Sequence, residues 1–212
     1  MCALLRDLGP LPLLIADMGA GFAWLSHRLA TLGHRVVAVD LSSDADFGLG
    51  ASRLYPAVSD PTGSQLPEGH FWPVLGEMEH PPLRAGLYDA VICNASLHYA
   101  NDLGLAVRRL AAALQPDGAL IVMDSPIASI PRAGERAGSR VLGRAELADA
   151  LETAGLTTTW VPIRRGWRWI YQQLKNRLRG RTVFEFPLVV ARGGPVASPK
   201  GIRGLRARHP GA

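Results

Sequence analysis

The chain predicts an α/β fold, a doubly wound and mostly parallel seven-stranded sheet with helices on both faces. Two observations carry this. Apolar, often β-branched runs alternate with runs of helical spacing along the chain. Hydrophobic residues make up 48% and charged residues 19% of the 212, enough apolar material for one core.

The elements follow in order. "LPLLIADM" (11–18) reads as a buried strand, and "FAWLSHRLATLG" (22–33) as a helix. There Trp24, Leu25, Leu29 and Leu32 share helical spacing and Gly33 stops the run. "HRVVAVDLS" (34–42) is a β-branched strand reaching Asp40, and 43–70 is mostly loop with one helical turn. "FWPVLGE" (71–77) suits a sheet edge because Pro73 cannot donate to a ladder. "YDAVICNAS" (88–96) is a strand. "DLGLAVRRLAAALQP" (102–116) is a helix capped by Asp102 and closed by Pro116, and "GALIVMD" (118–124) is the next strand. A Pro/Gly/Ser/Arg loop (125–140) precedes a helix at 143–155, a strand at 156–163, a helix at 167–179 and a strand at 183–191.

One domain is expected over 1–192, with a motif core at about 12–125 and a C-terminal substrate or lid half at about 126–192. Residues 193–212 lack periodicity and read as a flexible basic tail. No apolar run approaches a membrane span. Arg6, Asp7, Pro10, Pro12 and Asp17 interrupt the N-terminal stretch, which therefore lacks the run of a secretory signal. With only Cys2 and Cys93, neither a disulfide framework nor an all-thiolate zinc site is available, and no spacing calls for a metal. Cys93 reads as a small buried apolar residue. A cytoplasmic location is expected.

Charge is segregated. Residues 1–159 carry −6 and residues 160–212 carry +11. Such asymmetry can mark an anionic partner, and an Arg-rich composition produces it as well. A basic end alone does not make a nucleic-acid binder.

In a doubly wound sheet, ligands sit beyond the carboxyl ends of the strands, where strand order reverses. That singles out 17–22, 40–42, 76–79, 94–99 and 124–126. A dinucleotide fingerprint aligned on Gly19 and Gly21 puts Trp24 where the third glycine belongs, and an indole there pushes the helix away. A triphosphate cradle needs a lysine after its glycines, and the only lysines are Lys175 and Lys200. A cationic, phosphate-free nucleoside fits better. Asp17 enters the turn, Gly19–Gly21 bare the backbone, the following helix N-terminus favours a carboxylate, and Asp40 can accept ribose hydroxyls.

"DMGAGFA" (17–23), "VVAVDLS" (36–42), "GEMEHPPLRAGLYDAVICNASLHY" (76–99) and "LQPDGALIVMD" (114–124) resemble four ordered motifs of the class I S-adenosylmethionine-dependent methyltransferases. The nearest group is the type 11 methyltransferase domain, which generally acts on small molecules. The resemblance covers about residues 12–125 and implies a Rossmann-like fold with S-adenosyl-L-methionine as cofactor. It places Gly19, Ala20 and Gly21 under the methionine moiety with Asp17 at the entrance, Asp40 on the ribose and Leu41 on the adenine. Glu77 falls near the adenine amino group, the Met78 N–H near a ring nitrogen, and the Asn94 backbone carbonyl near the methionine amino group. Ala23 stands where a third glycine is usual, and Glu77 where Asp is usual. The resemblance also implies covering helices ahead of the first strand. Only about ten residues precede that strand here, so the gene start lies further upstream or another segment supplies the cover.

The "NASLHY" loop faces the transferred methyl in such enzymes. His98 is accordingly a candidate base for a hydroxyl acceptor, or a packing residue. Tyr99, Trp167 and Trp169 are candidates for the acceptor wall. In 164–181, Trp167, Ile170, Tyr171, Leu174 and Leu178 form one helical stripe with Arg168, Gln172, Lys175 and Arg179 off it. Such a stripe ordinarily packs on the sheet. A lid over the acceptor and a peripheral membrane contact are the other readings. The sequence thus predicts a methyltransferase for a small-molecule acceptor. Its rivals are a catalytically silent S-adenosylmethionine-binding or scaffold module, and a nucleic-acid methyltransferase, which lacks its N-P-P-[YF]-like loop here.

Overall fold

The computed structural model describes residues 2–55, 70–128, 141–163, 166–179 and 183–193. A short helix, α1 (Cys2–Arg6), leads into β1 (Leu14–Met18), α2 (Trp24–Thr31) and β2 (Arg35–Asp40). A 3-10 turn (Leu49–Leu54) then precedes β3 (His70–Leu75), β4 (Tyr88–Asn94), α3 (Leu103–Ala113) and β5 (Leu114–Met123). Two short strands, β6 (Ile127–Ala128) and β7 (Leu142–Gly143), lead to α4 (Arg144–Thr153). The chain continues through β8 (Leu156–Val161), α5 (Trp167–Leu178) and β9 (Leu188–Gly193).

Seven strands form one sheet in the order β3-β2-β1-β4-β5-β9-β8, mostly parallel, with β9 antiparallel to both neighbours. The expected fold class is the observed one. β3 lies at the edge, where Pro73 is tolerated. Strand order reverses between β1 and β4, so the loops leaving these two strands diverge and open a crevice.

Alternate residues of each strand feed two cores, as the period of two requires. Met18, Val91, Cys93, Leu120 and Val122 meet Leu103, Val107 and Leu110 of α3 and Leu147 and Leu151 of α4 on one face. Ile15, Val36, Ile92 and Ile121 meet Leu4 and Leu5 of α1 and Leu25 and Leu29 of α2 on the other. Helices therefore cover both faces.

Several expectations need correction. In α2 only Leu25 and Leu29 of the four-residue stripe are buried, while Trp24 and Leu32 are each 46% exposed. Leu32 already lies past the helix, beside Gly33 at φ +88°. α3 ends at Ala113 and not at Pro116. Leu114 turns extended at ψ 140° and pairs with Tyr88, and Pro116 falls in a ladder irregularity between Tyr88 and Ala90 that spares its missing donor. β9 starts at Leu188, because 183–187 are used elsewhere: Glu185 bridges Ile127 through backbone bonds of 2.7 and 2.9 Å.

The largest correction concerns α5. Its stripe of Trp167, Ile170, Tyr171, Leu174 and Leu178 does not pack on the sheet; each of these side chains is more than half exposed. β8 runs parallel to β5, since both are antiparallel to β9, so Val161 ends at the edge where Met123 ends. α5 therefore projects from the carboxyl edge of the sheet and the chain returns at Leu188, paired with Val161. The expected tail, 194 onward, lies outside the described residues. Among the described residues no helix is long and apolar enough to cross a membrane.

Candidate active site

The carboxyl edge collects the loops after β1, β2, β3, β4 and β5, and each is held by specific bonds. Gly19 takes φ +70°, and a Cβ there would lie 2.4 Å from Ser96 Cβ, so no side chain fits. Ser96 Oγ donates to the Met18 carbonyl at 2.5 Å, tying the loop after β4 to the end of β1. The N–H groups of Gly19 and Ala20 donate to Val39 O at 2.8 and 3.0 Å. Gly21 differs: at φ +55° its missing Cβ would meet nothing within 4 Å, so the loop is bare toward open space.

Asp40 secures this loop from the neighbouring strand. Its Oδ2 accepts the Gly21 N–H at 2.8 Å and its Oδ1 accepts the Ser42 N–H at 3.0 Å. Each carboxylate oxygen keeps a second lone pair for a hydroxyl donor. Leu41, next along, is 72% exposed. That leaves a large apolar side chain beside the same crevice.

Asp17 sits behind the turn, only 1% exposed. It accepts from Ser26 Oγ at 2.7 Å and from the Ser26 backbone N–H in the first turn of α2. Burial pushes its pKa up to about 6; the Ser26 bonds pull the other way, and the Asp40 charge adds to the rise. Across the reversal point, Asn94 Oδ1 is buried without a hydrogen-bond partner. A buried orphan acceptor is costly unless a ligand supplies its donor.

Met78 Cε would come within 3.1 Å of a Cβ on Gly19, so this residue lies against the glycine turn. Glu77 is exposed, 3.7 Å from His80 Nδ1. Glu79 instead braces the site, its Oε1 accepting the N–H groups of Asn101 and Asp102 at 2.6 and 3.1 Å. His98 is buried in a 3-10 turn, Nδ1 3.5 Å from Ser125 Oγ, and its ring lies 4.2 Å from that of exposed Tyr99. Burial lowers the imidazole pKa below 6.5 and keeps the ring neutral at physiological pH, the form that accepts a proton. Cys93 is fully buried with its pKa pushed up to about 12 by burial first and the Asp17 charge second. It is no nucleophile.

The structure thus brings Gly19, Ala20, Gly21, Asp40, Leu41, Met78, Asn94, His98 and Tyr99 to one edge. Asp17 lies beneath them and Glu77 on their rim. Trp167 is exposed on the outer face of α5 and Trp169 is half-buried on another side of that helix. Ser26, Ser96, Ser125 and the side chain of Asn94 escaped the sequence reading, since isolated serines and a strand-ending Asn carry no pattern. Positive φ at three non-glycine residues, Ala23, Ala95 and Asp124, marks the same edge. A hollow of about 440 Å³ lined by Arg108, Leu114, Pro116, Thr153 and Leu156 lies at the opposite, amino edge of β5 and β8, away from these groups.

An open α/β sheet with a bared glycine turn, a carboxylate ending the second strand and no lysine in the turn defines the nucleoside-binding class of doubly wound proteins. The sequence pattern of the type 11 methyltransferase domain matches residues 16–122, and the chain belongs to that methyltransferase domain family. Its cofactor is S-adenosyl-L-methionine. Among solved structures, a S-adenosylmethionine-dependent methyltransferase from Methanosarcina mazei superposes with TM-score 0.61 at 13% identity, covering 91% of this chain and 98% of that one. One from Mesorhizobium loti gives 0.60 at 20% identity, covering 90% and 96%. The 4+2 cyclase SpnF gives 0.65 at 17% identity, covering 92% and 80%. These likenesses establish the fold. No curated protein matches the chain in sequence.

The residues fit the cofactor. The bare face of Gly21 leaves its backbone open to a ligand, and the orphan Asn94 Oδ1 suits an ammonium donor. Beside them, a buried carboxylate has no cation among the groups shifting its pKa.

Proposed function

We propose that this chain transfers a methyl group from S-adenosyl-L-methionine to a small-molecule acceptor at the carboxyl edge of its sheet. The observation that carries the reading is the buried, unpartnered Oδ1 of Asn94 at the end of β4, next to the strand reversal, with Asp17 and Asp40 on β1 and β2 beside it. In this reading the Gly19–Gly21 turn and the Asn94 amide oxygen hold the methionine end, with Asp17 as the buried counter-charge. Asp40 takes the ribose hydroxyls, and Leu41, Met78 and Glu77 border the adenine. The bound cofactor supplies a methyl already activated on a sulfonium. The chain therefore has mainly to align the acceptor, and orientation accounts for much of the acceleration.

For a hydroxyl acceptor, His98 removes the proton. Its neutral ring is the competent form, so the rate rises with pH through a value below 6.5 and then levels. Of the expected acceptor-wall residues, Tyr99 and Trp169 border the acceptor, while Trp167, exposed on the outer face of α5, is left out.

The test is calorimetry with S-adenosylmethionine followed by labelled-methyl transfer into a metabolite extract. Binding and transfer are expected. With the acceptor in hand, His98→Gln lowers kcat by about 10²–10⁴ and leaves cofactor affinity unchanged. Binding without transfer to any acceptor supports the silent module instead, and equal kcat in the His98 variant assigns that ring to packing.

A further inference from the structure

We propose that α5 is an interfacial helix that seats the carboxyl edge of the sheet on an anionic lipid surface. Helix amphipathicity normally turns the apolar stripe toward the protein; here it is inverted. Trp167, Ile170, Tyr171, Leu174 and Leu178 face outward and are more than half exposed. Trp169, Gln173, Lys175 and Asn176 are the part-buried residues, and Gln173 Oε1 has no partner. The body thus keeps the less apolar side. The return segment is fixed behind the helix by the Glu185–Ile127 bridge and by Arg144 Nη1, 3.2 Å from Glu185.

Charge selects the occupant. Arg168, Lys175 and Arg179 follow one flank of the stripe and Arg177 lies on the other. Arg164, Arg165 and Arg181 extend the set in sequence, and no acid occurs between Glu152 and Glu185. A stripe bearing Trp and Tyr, bordered by cations on both flanks, matches the acyl–headgroup boundary of an anionic bilayer: apolar groups enter and cations meet headgroups. A symmetric pairing of two such helices would juxtapose cations with no intervening acid. Nucleic acid would use the cations and leave five large apolar side chains in water. Twelve residues are too short to span a bilayer, so the helix lies flat. Because α5 projects from the edge that carries the crevice, docking turns that edge toward the lipid.

Flotation of the full chain with phosphatidylcholine vesicles, with and without phosphatidylglycerol, tests the assignment. Flotation with the anionic vesicles and a blue shift of tryptophan emission are expected. Arg168→Gln with Lys175→Gln cuts partitioning roughly 25-fold, each surface cation contributing about fivefold. Ile170→Glu with Leu174→Glu cuts it about tenfold or more by removing apolar insertion, and leaves S-adenosylmethionine titration and thermal unfolding unchanged. Failure to float overturns the proposal. So does flotation indifferent to the Glu pair, which assigns lipid binding to other basic segments. Retention on RNA without flotation, or a solution dimer that the Glu pair dissolves, overturns it equally.

Discussion

At Asp17 the folded protein holds a carboxylate out of water, and its energetics decide what that residue is for. Its pKa of about 6 against 3.8 means the native state binds the proton more tightly than the unfolded chain. Stability from this group is therefore greatest below pH 4, falls as pH rises from about 4 to 6, and stays reduced at neutral pH, by on the order of 3 kcal/mol. A residue that costs stability without its ligand is expected to gain from one, and an ammonium group is the obvious compensation. Asp17→Asn should raise the melting temperature of the cofactor-free protein by roughly 6–12 °C at pH 7.5, with the gain about halved at pH 5. The same variant should bind S-adenosylmethionine more weakly. Melts at the two pH values and a titration check both halves; a variant no more stable than its parent at pH 7.5 removes the argument. The acid and the two glycines were legible in sequence, but burial was not, because Asp17 reads identically whether it faces solvent or Ser26. Ala23 teaches a related lesson. Standing where a third glycine is usual, it is an L-residue held at φ +58°, a left-handed backbone that favours the glycine it replaces and that no sequence pattern displays.

Among the elements, periodicity located α3 and α5 equally well, and only one of them follows the usual rule. Leu110 of α3 is fully buried between β4 and α4 side chains. Leu174 of α5 is 55% exposed. Spacing shows that a helix has two faces; what covers the apolar one depends on where the chain re-enters the sheet, here at Leu188. The strand–helix boundary at Leu114 was hidden for a similar reason. Proline ordinarily closes a helix, and the irregularity at the start of β5 that admits Pro116 exists only once β4 lies beside it. The contrast between the two leucines is measurable. Leu110→Ala should cost about 2–5 kcal/mol in denaturant unfolding, and Leu174→Ala should stay within about 0.5 kcal/mol. A Leu174 loss near that of Leu110 would mean that α5 packs on the sheet in solution.

Across the whole molecule, the strand order converts scattered residues into one edge. Positions as far apart as Asp17 and Ser125 come to one edge because the parallel strands end there, and the reversal between β1 and β4 opens the gap beside Asn94 and the glycine turn. This convergence was legible from strand–helix alternation alone, since the winding rule places ligand loops at carboxyl ends whatever the family. The opposite edge carries a hollow of about 440 Å³ with Gly155 bared at φ +76° on its wall, and His34 Nδ1 is orphaned elsewhere on that edge, whereas the buried carboxylate held up at a pKa of about 6, Asp17, belongs to the first. Cavity volume and chemistry therefore point to different ends of the sheet. Chemistry has the better claim, because a buried carboxylate with no cation among the groups shifting its pKa costs free energy that a cationic ligand returns, whereas a surface hollow costs little. Hydrogen exchange in the presence of saturating S-adenosylmethionine separates the two ends. Amides of the 19–23, 40–44, 76–80 and 94–99 loops should slow, while those of 111–116 and 153–156 stay unchanged except for any uniform slowing from global stabilisation, about 2.7 kcal/mol at a hundred times Kd. Protection concentrated at 111–116 and 153–156 would move the nucleoside to the amino edge and dissolve the roles given to Asp40 and Asn94.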